Sequence, residues 1–220
     1  MSSQPQQGTL GVGSRPTARA ATREDARLSG LLLFINAAQF MIVIMLAASI
    51  APAYDYGAAA ISDLGVIAET ALLFNASLVA VGLLNIAGGY LHYGAHGRRW
   101  IPATFLVAGI GAVGAGLVPL DRGGLHGIFA LIAFLFFNLE AIACAAVVTG
   151  PMRPVSAVAG VVGLVFVVLM GIGDAGNTAA FGPIGHGGTE RMIVYPVMLW
   201  MIAFGGYLMA AGRAEASTET

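Results

Sequence analysis

The stretch that decides the fold is Gly127 to Thr149, GIFALIAFLFFNLEAIACAAVVT, in which Glu140 is the only charged residue. An α-helix rises about 1.5 Å per residue, so a run of this length covers a hydrocarbon core of roughly 30 Å. Working outward, five more stretches pass the same test: approximately Leu28 to Ala51, Thr70 to Leu91, Ile101 to Leu120, Val155 to Gly173 and Met192 to Gly212. Pro, Gly or charge bounds each of them. The expected fold class is all-α: a polytopic membrane protein whose residues 28–212 form a bundle of six transmembrane helices.

Composition agrees. The 220 residues are 58% hydrophobic and 10% charged, against about 25% charged in an ordinary soluble domain. All ten basic residues are Arg. With a net charge of −1 and no basic run outside the N-terminal arm, nucleic acid is not an expected partner. Membrane lipids are, and a small ligand or a protein partner remains open. Cys144 is the single cysteine, which excludes a disulfide framework and a cysteine-based zinc site; it reads as a small packing residue.

Residues 1–27 are rich in Ser, Gln, Gly, Pro, Thr and Arg and read as a disordered arm, and residues 213–220 as a tail. The first apolar stretch is long enough to span, so it reads as an uncleaved helix and not as a secretory signal. With six spans, alternate loops share a side. Arg15, Arg19, Arg23, Arg27, Arg98, Arg99, Arg153 and Arg213 fall on one side, Arg122 and Arg191 on the other. The positive-inside bias therefore puts both termini in the cytoplasm, with the cell membrane as the expected location. The 31 glycines suit close helix approach, within one bundle or at a homodimer interface.

The opposite, extracytoplasmic side gathers Asp55, Asp63, Glu69, Asp121, Arg122, His126, Asp174, His186, Glu190 and Arg191 in three loops. Two of these loops, Pro52 to Glu69 and Asp174 to Arg191, are too long for simple turns, and long loops are often functional. The first has room for a short interfacial helix around Ala58 to Glu69. In the second, Thr189 is placed to cap helix six with Glu190 in its first turn, and Arg191 to pair with Glu190 or Asp174. The alternative is a ligand-binding mouth, for which the candidates are Asp63, Asp121, His126, Glu190 and Arg191.

Inside the membrane the outstanding residue is Glu140, roughly 18 Å along the fourth helix and so near mid-membrane. A carboxyl there must be neutral, paired or beside water, and is by default a relay or binding site; a structural hydrogen bonder is the competing reading. Asn75, Gly82, Asn85 and Gly89 form a small and polar stripe on helix two continuing to His92, while Asn36 and Gln39 share a face of helix one. Asn75 and Glu140 are the candidate intramembrane site. Asn138 lies two residues from Glu140 and points to another side.

Catalytic signatures are scarce. His92 and His96 sit at the opposite end from His126 and His186, so the four cannot make one site. His126 and His186, with carboxylates such as Asp63, Asp121 or Asp174, are weak metal candidates. The sequence carries no phosphate-binding loop, dinucleotide fingerprint or nucleophile elbow, and it names no cofactor.

Several segments together carry a family resemblance: Ile61-Ser62-Asp63-Leu64-Gly65, Leu73-Phe74-Asn75-Ala76-Ser77-Leu78, Pro119 through His126, and Gly188-Thr189-Glu190-Arg191 leading to Tyr195-Pro196 and Trp200. Over roughly Leu28 to Gly212 the chain resembles the uncharacterised multi-pass membrane family catalogued as domain of unknown function 998. The resemblance implies a small helical bundle of unassigned activity and directs suspicion to Asp63, Asn75, His126, Glu190 and Arg191. The leading expectation is a transporter-like or small-ligand- or lipid-handling protein with a polar mouth above Glu140. The alternatives are a metal-dependent intramembrane hydrolase and a non-catalytic subunit of a membrane complex.

Overall fold

The computed structural model describes residues 18–96 and 100–214. The arm up to residue 17, the Arg98 and Arg99 pair and residues 215–220 lie outside the described residues. Six α-helices carry the fold: α1 Ala18–Ile50, α2 Ala71–His96, α3 Trp100–Leu117, α4 Gly124–Ala145, α5 Met152–Asp174 and α6 Gly185–Ala214. All six contain segments long and apolar enough to cross a membrane, and no strand occurs among the described residues.

Each helix packs on its sequence neighbours, and α6 returns to pack on α1, so the bundle is a closed ring. A cross-contact between α4 and α6 leaves α5 outside that seam. The outward faces are apolar. Leu72 is 85% exposed, and Leu117, Val158 and Val168 are also exposed. Such a surface is costly in water and ordinary against lipid tails, where only helices or closed barrels satisfy their own backbone.

Glycines set the helix spacing. A Cβ on Gly30 would stand 2.6 Å from the Gly205 carbonyl oxygen, and one on Gly205 would stand 2.5 Å from that of Gly30. The α1–α6 closure is thus a backbone-to-backbone contact. Gly82 and Gly109 do the same for α2 and α3, each facing the other's carbonyl. This is the small-residue packing that helix association in lipid depends on.

Several boundaries depart from the sequence reading. The first helix starts at Ala18, inside the segment expected to be an arm, because Ala and Arg, which dominate its first residues, favour helix. The interfacial helix expected around Ala58 to Glu69 reduces to one 3-10 turn, Ser62–Gly65. Most importantly, α6 begins at Gly185, so Thr189 is no N-cap: its hydroxyl donates one turn back to the Gly185 carbonyl at 2.8 Å. The glycines there read as loop, but Gly187 is pressed against the carbonyls of Tyr56 and Ala59, where no larger residue fits.

Candidate functional site

Two adjoining cavities occupy the end of the ring that carries the Ala51–Thr70 and Ala175–Ile184 connections, here termed the mouth. The outer one, about 380 Å³, is bordered by Ser62, Asp63, His126, Asp174, His186 and Glu190 together with apolar residues of α4, α5 and α6. The inner one, about 60 Å³, lies within the ring. Its walls are Phe40 of α1, Phe74, Leu78 and Val81 of α2, Ala112 and Ala115 of α3, and Ala133 and Phe137 of α4, with Val194, Val197 and Met198 of α6. Ser62, His126, Ala130, Phe134, Glu190 and Ile193 border both. These six residues form the boundary between the two cavities, with polar side chains gathered at the outer one and apolar side chains around the inner one.

The junction is built by α4 and by the clamp that holds the first loop onto α6. On α4 the residues His126, Ala130, Ala133, Phe137, Glu140 and Cys144 recur at helical spacing and form one inward face. His126 stands at its mouth end, 3% exposed. Its Nδ1 lies 2.7 Å from the carbonyl oxygen of Val118. Its Nε2 is buried and has no hydrogen-bond partner among the described residues.

Glu190 and Arg191 act back to back. The Glu190 carboxylate accepts from the Ile61 amide and from the Ser62 hydroxyl at 3.3 Å, which fixes the 3-10 turn over the cavity. The Arg191 guanidinium points the other way. It donates to the carbonyls of Tyr56, Ala59 and Gly187 at 2.8, 3.1 and 2.7 Å and to the Tyr54 hydroxyl at 2.7 Å. It also lies over the Tyr56 ring, 4.7 Å from its centroid. The Tyr54 hydroxyl donates in turn to the Ala60 carbonyl at 2.7 Å. Burial pushes the Tyr54 phenol up to about 12, against the opposing pull of the Arg191 charge and hydrogen bond.

The ion pair expected between Arg191 and Glu190 or Asp174 is therefore absent among the described residues. Asp174 instead meets His186 at 3.2 Å, and Arg191 spends its donors on carbonyls because the loop it must hold offers them at hydrogen-bonding distance.

Of the five mouth candidates, Asp63, His126 and Glu190 border the outer cavity, whereas Asp121 and Arg191 do not. Asp121 is exposed and 3.9 Å from Arg122. Arg191 is a clamp. The carboxylate of Asp63 also accepts from the Ala60 amide at 2.8 Å, shaping the turn.

The intramembrane pair is separated as well. The Asn75 side chain donates to the Gly65 carbonyl at 2.8 Å, near the mouth. Glu140 accepts from Asn85 at 2.9 Å, and the same Asn85 amide donates to the Phe105 carbonyl at 3.1 Å. Glu140 sits five residues from the inner end of α4, not at its middle, because the helix ends at Ala145. It is fully buried and borders neither cavity. Asn138 does face elsewhere: its side chain donates to the Phe134 carbonyl at 2.8 Å and the Ile193 carbonyl at 3.2 Å, tying α4 to α6.

Ser62, a junction residue, carried no site signal beyond its place in a motif. Asn85 was visible only as part of a stripe. No group of three or more His, Cys, Asp or Glu side chains suited to a metal occurs among the described residues. His126 and His186 border the same cavity, but each already engages another group.

The family described as protein of unknown function (DUF998) matches residues 34–207. The chain belongs to that family. The match spans the DUF998 bundle from within α1 to near the end of α6, so both cavities and the clamp lie inside it. No curated protein and no solved structure matches the chain.

Proposed function

We propose that this DUF998 protein binds a small membrane amphiphile in the outer cavity, its head at the rim of Asp63, His126 and Glu190 and a few carbons of its apolar part reaching the inner cavity. The observation that carries the reading is that an apolar cavity and a cavity with a polar rim adjoin at His126, Ser62 and Glu190, which border both. Apolar cavities in proteins stay dry and take apolar guests, and the inner walls are almost entirely hydrocarbon side chains. A polar rim above them suits a head that has left the lipid interface. The hydrolase reading is not favoured, since no metal-binding group of side chains forms among the described residues.

In this reading the protein resides in the cell membrane with both termini in the cytoplasm, as the Arg distribution favours, and the mouth opens on the opposite face. The test is mild extraction followed by mass spectrometry of co-purifying small molecules. Wild-type protein is expected to carry a bound amphiphile, and Ala130→Phe, which puts a ring at the junction, to carry at least tenfold less. Wild-type protein devoid of amphiphile, or equal loading in the variant, overturns the proposal. A stoichiometric protein partner in place of a ligand would favour a subunit role.

A further inference from the structure

We infer that the site selects amphiphiles whose head donates hydrogen bonds, an alcohol or an amine, over those with an anionic head. The inference rests on the amphiphile reading and adds head-group class to it. The argument is an inventory of hydrogens at the junction. The Val118 carbonyl can only accept, so the proton on His126 Nδ1 is committed to it. In the Nδ1–H tautomer the other nitrogen, Nε2, presents a lone pair, and it is the buried atom without a partner among the described residues. The Ser62 hydroxyl spends its hydrogen on Glu190, leaving its oxygen as an acceptor. Glu190 offers carboxylate oxygens, already holding the Ile61 amide.

The hydrogens of His126 Nδ1 and the Ser62 hydroxyl are thus used, and what these two side chains present at the junction is lone pairs. The wider rim continues the pattern with Asp63 and Asp174. The cation next in sequence, Arg191, is turned into the carbonyls and tyrosines of the clamp and borders neither cavity. His186 is engaged by Asp174. A carboxylate or phosphate head would bring more lone pairs to a wall of lone pairs, whereas a hydroxyl or ammonium supplies the missing donor.

The test uses the full-length protein in a fixed neutral detergent, with four probes of one chain length: decane, decan-1-ol, decylamine and decanoate. Binding is read as the rise in unfolding midpoint with probe concentration, which follows ligand affinity by mass action. Decanol or decylamine is expected to bind about tenfold more tightly than decane or decanoate, the effect of one well-made hydrogen bond to a buried acceptor. Alcohol best would assign a hydroxyl head; amine best would assign an ammonium.

In His126→Leu the alcohol advantage over decane should vanish while decane binding persists. Decane binding as tightly as decanol, or decanoate binding best, overturns the head-group inference and leaves the cavity reading intact. Failure of all four, decane included, overturns both. Because the four-probe comparison is made on unmodified protein, the inference stays falsifiable even where the variant does not fold.

Discussion

Glu140 is held by one neighbour. Asn85 is anchored to a backbone carbonyl of α3 and turns its second hydrogen to the carboxyl, so the two residues stitch α2, α3 and α4 together at the end of the bundle away from the mouth. Glu140→Gln keeps an oxygen able to accept from Asn85, and because the carboxyl borders neither cavity that variant is expected to leave amphiphile binding within about twofold of wild type. Asn85→Ala strips away the donor and abandons a buried acceptor, an expected loss of about 1–3 kcal/mol. Unfolding midpoints and probe affinities of the two variants, measured side by side, check both expectations; a large affinity loss in Glu140→Gln with unchanged stability would return the acid to the binding mechanism. The sequence singled out Glu140 because an acid in an apolar run is conspicuous by itself. Its partner was not legible, since Asn75, Asn85 and Gln39 are equally polar and only the rotation and depth of neighbouring helices decide which one arrives.

At the scale of elements the mouth depends on how the Ala51–Thr70 loop is fastened to α6. Tyr54 lies at the centre of that clamp, donating to Ala60 and accepting from Arg191. Its phenol is pushed up to about 12 from the usual 10, so its contribution to stability is full below pH 10 and is lost as pH rises through 12. Tyr54→Phe is expected to cost about 1 kcal/mol at pH 8 through the lost hydrogen bonds, and the gap between variant and wild type should close between pH 10 and 12. Denaturation midpoints across that range check it, and a gap that stays constant would mean the phenol does not report on the clamp. The same region marks where sequence reading failed. Gly185, Gly187 and Gly188 around His186 have the composition of a loop, yet they are the first turn of α6: the backbone of residues 56–59 leaves no room for side chains at Gly185 and Gly187, and the Ile184 side chain fills the space at Gly188. Close approach across the fold, not local preference, made that stretch helical.

For the whole molecule the six spans and the end that gathers ionisable groups were legible, because hydrocarbon thickness fixes a length and loop polarity follows from it. Ring order and the two adjoining cavities were not, since they depend on which faces meet. Orientation can be measured directly: the native Cys144 is fully buried, so an introduced thiol reports alone. Ala58→Cys is expected to react with a membrane-impermeant maleimide in intact cells and Ser217→Cys only after the cells are opened; the reverse pattern would invert the bundle. The closure of α6 on α1 through Gly30 and Gly205 has a bearing on biosynthesis. A helix inserted first must wait in lipid, its glycine-faced groove unfilled, until five more have been threaded beside it, and the sixth supplies both the closing wall and the residues that latch the mouth. A chain halted ahead of α6 would therefore be an open arc of five helices, lacking the closing wall and the Glu190 and Arg191 latch.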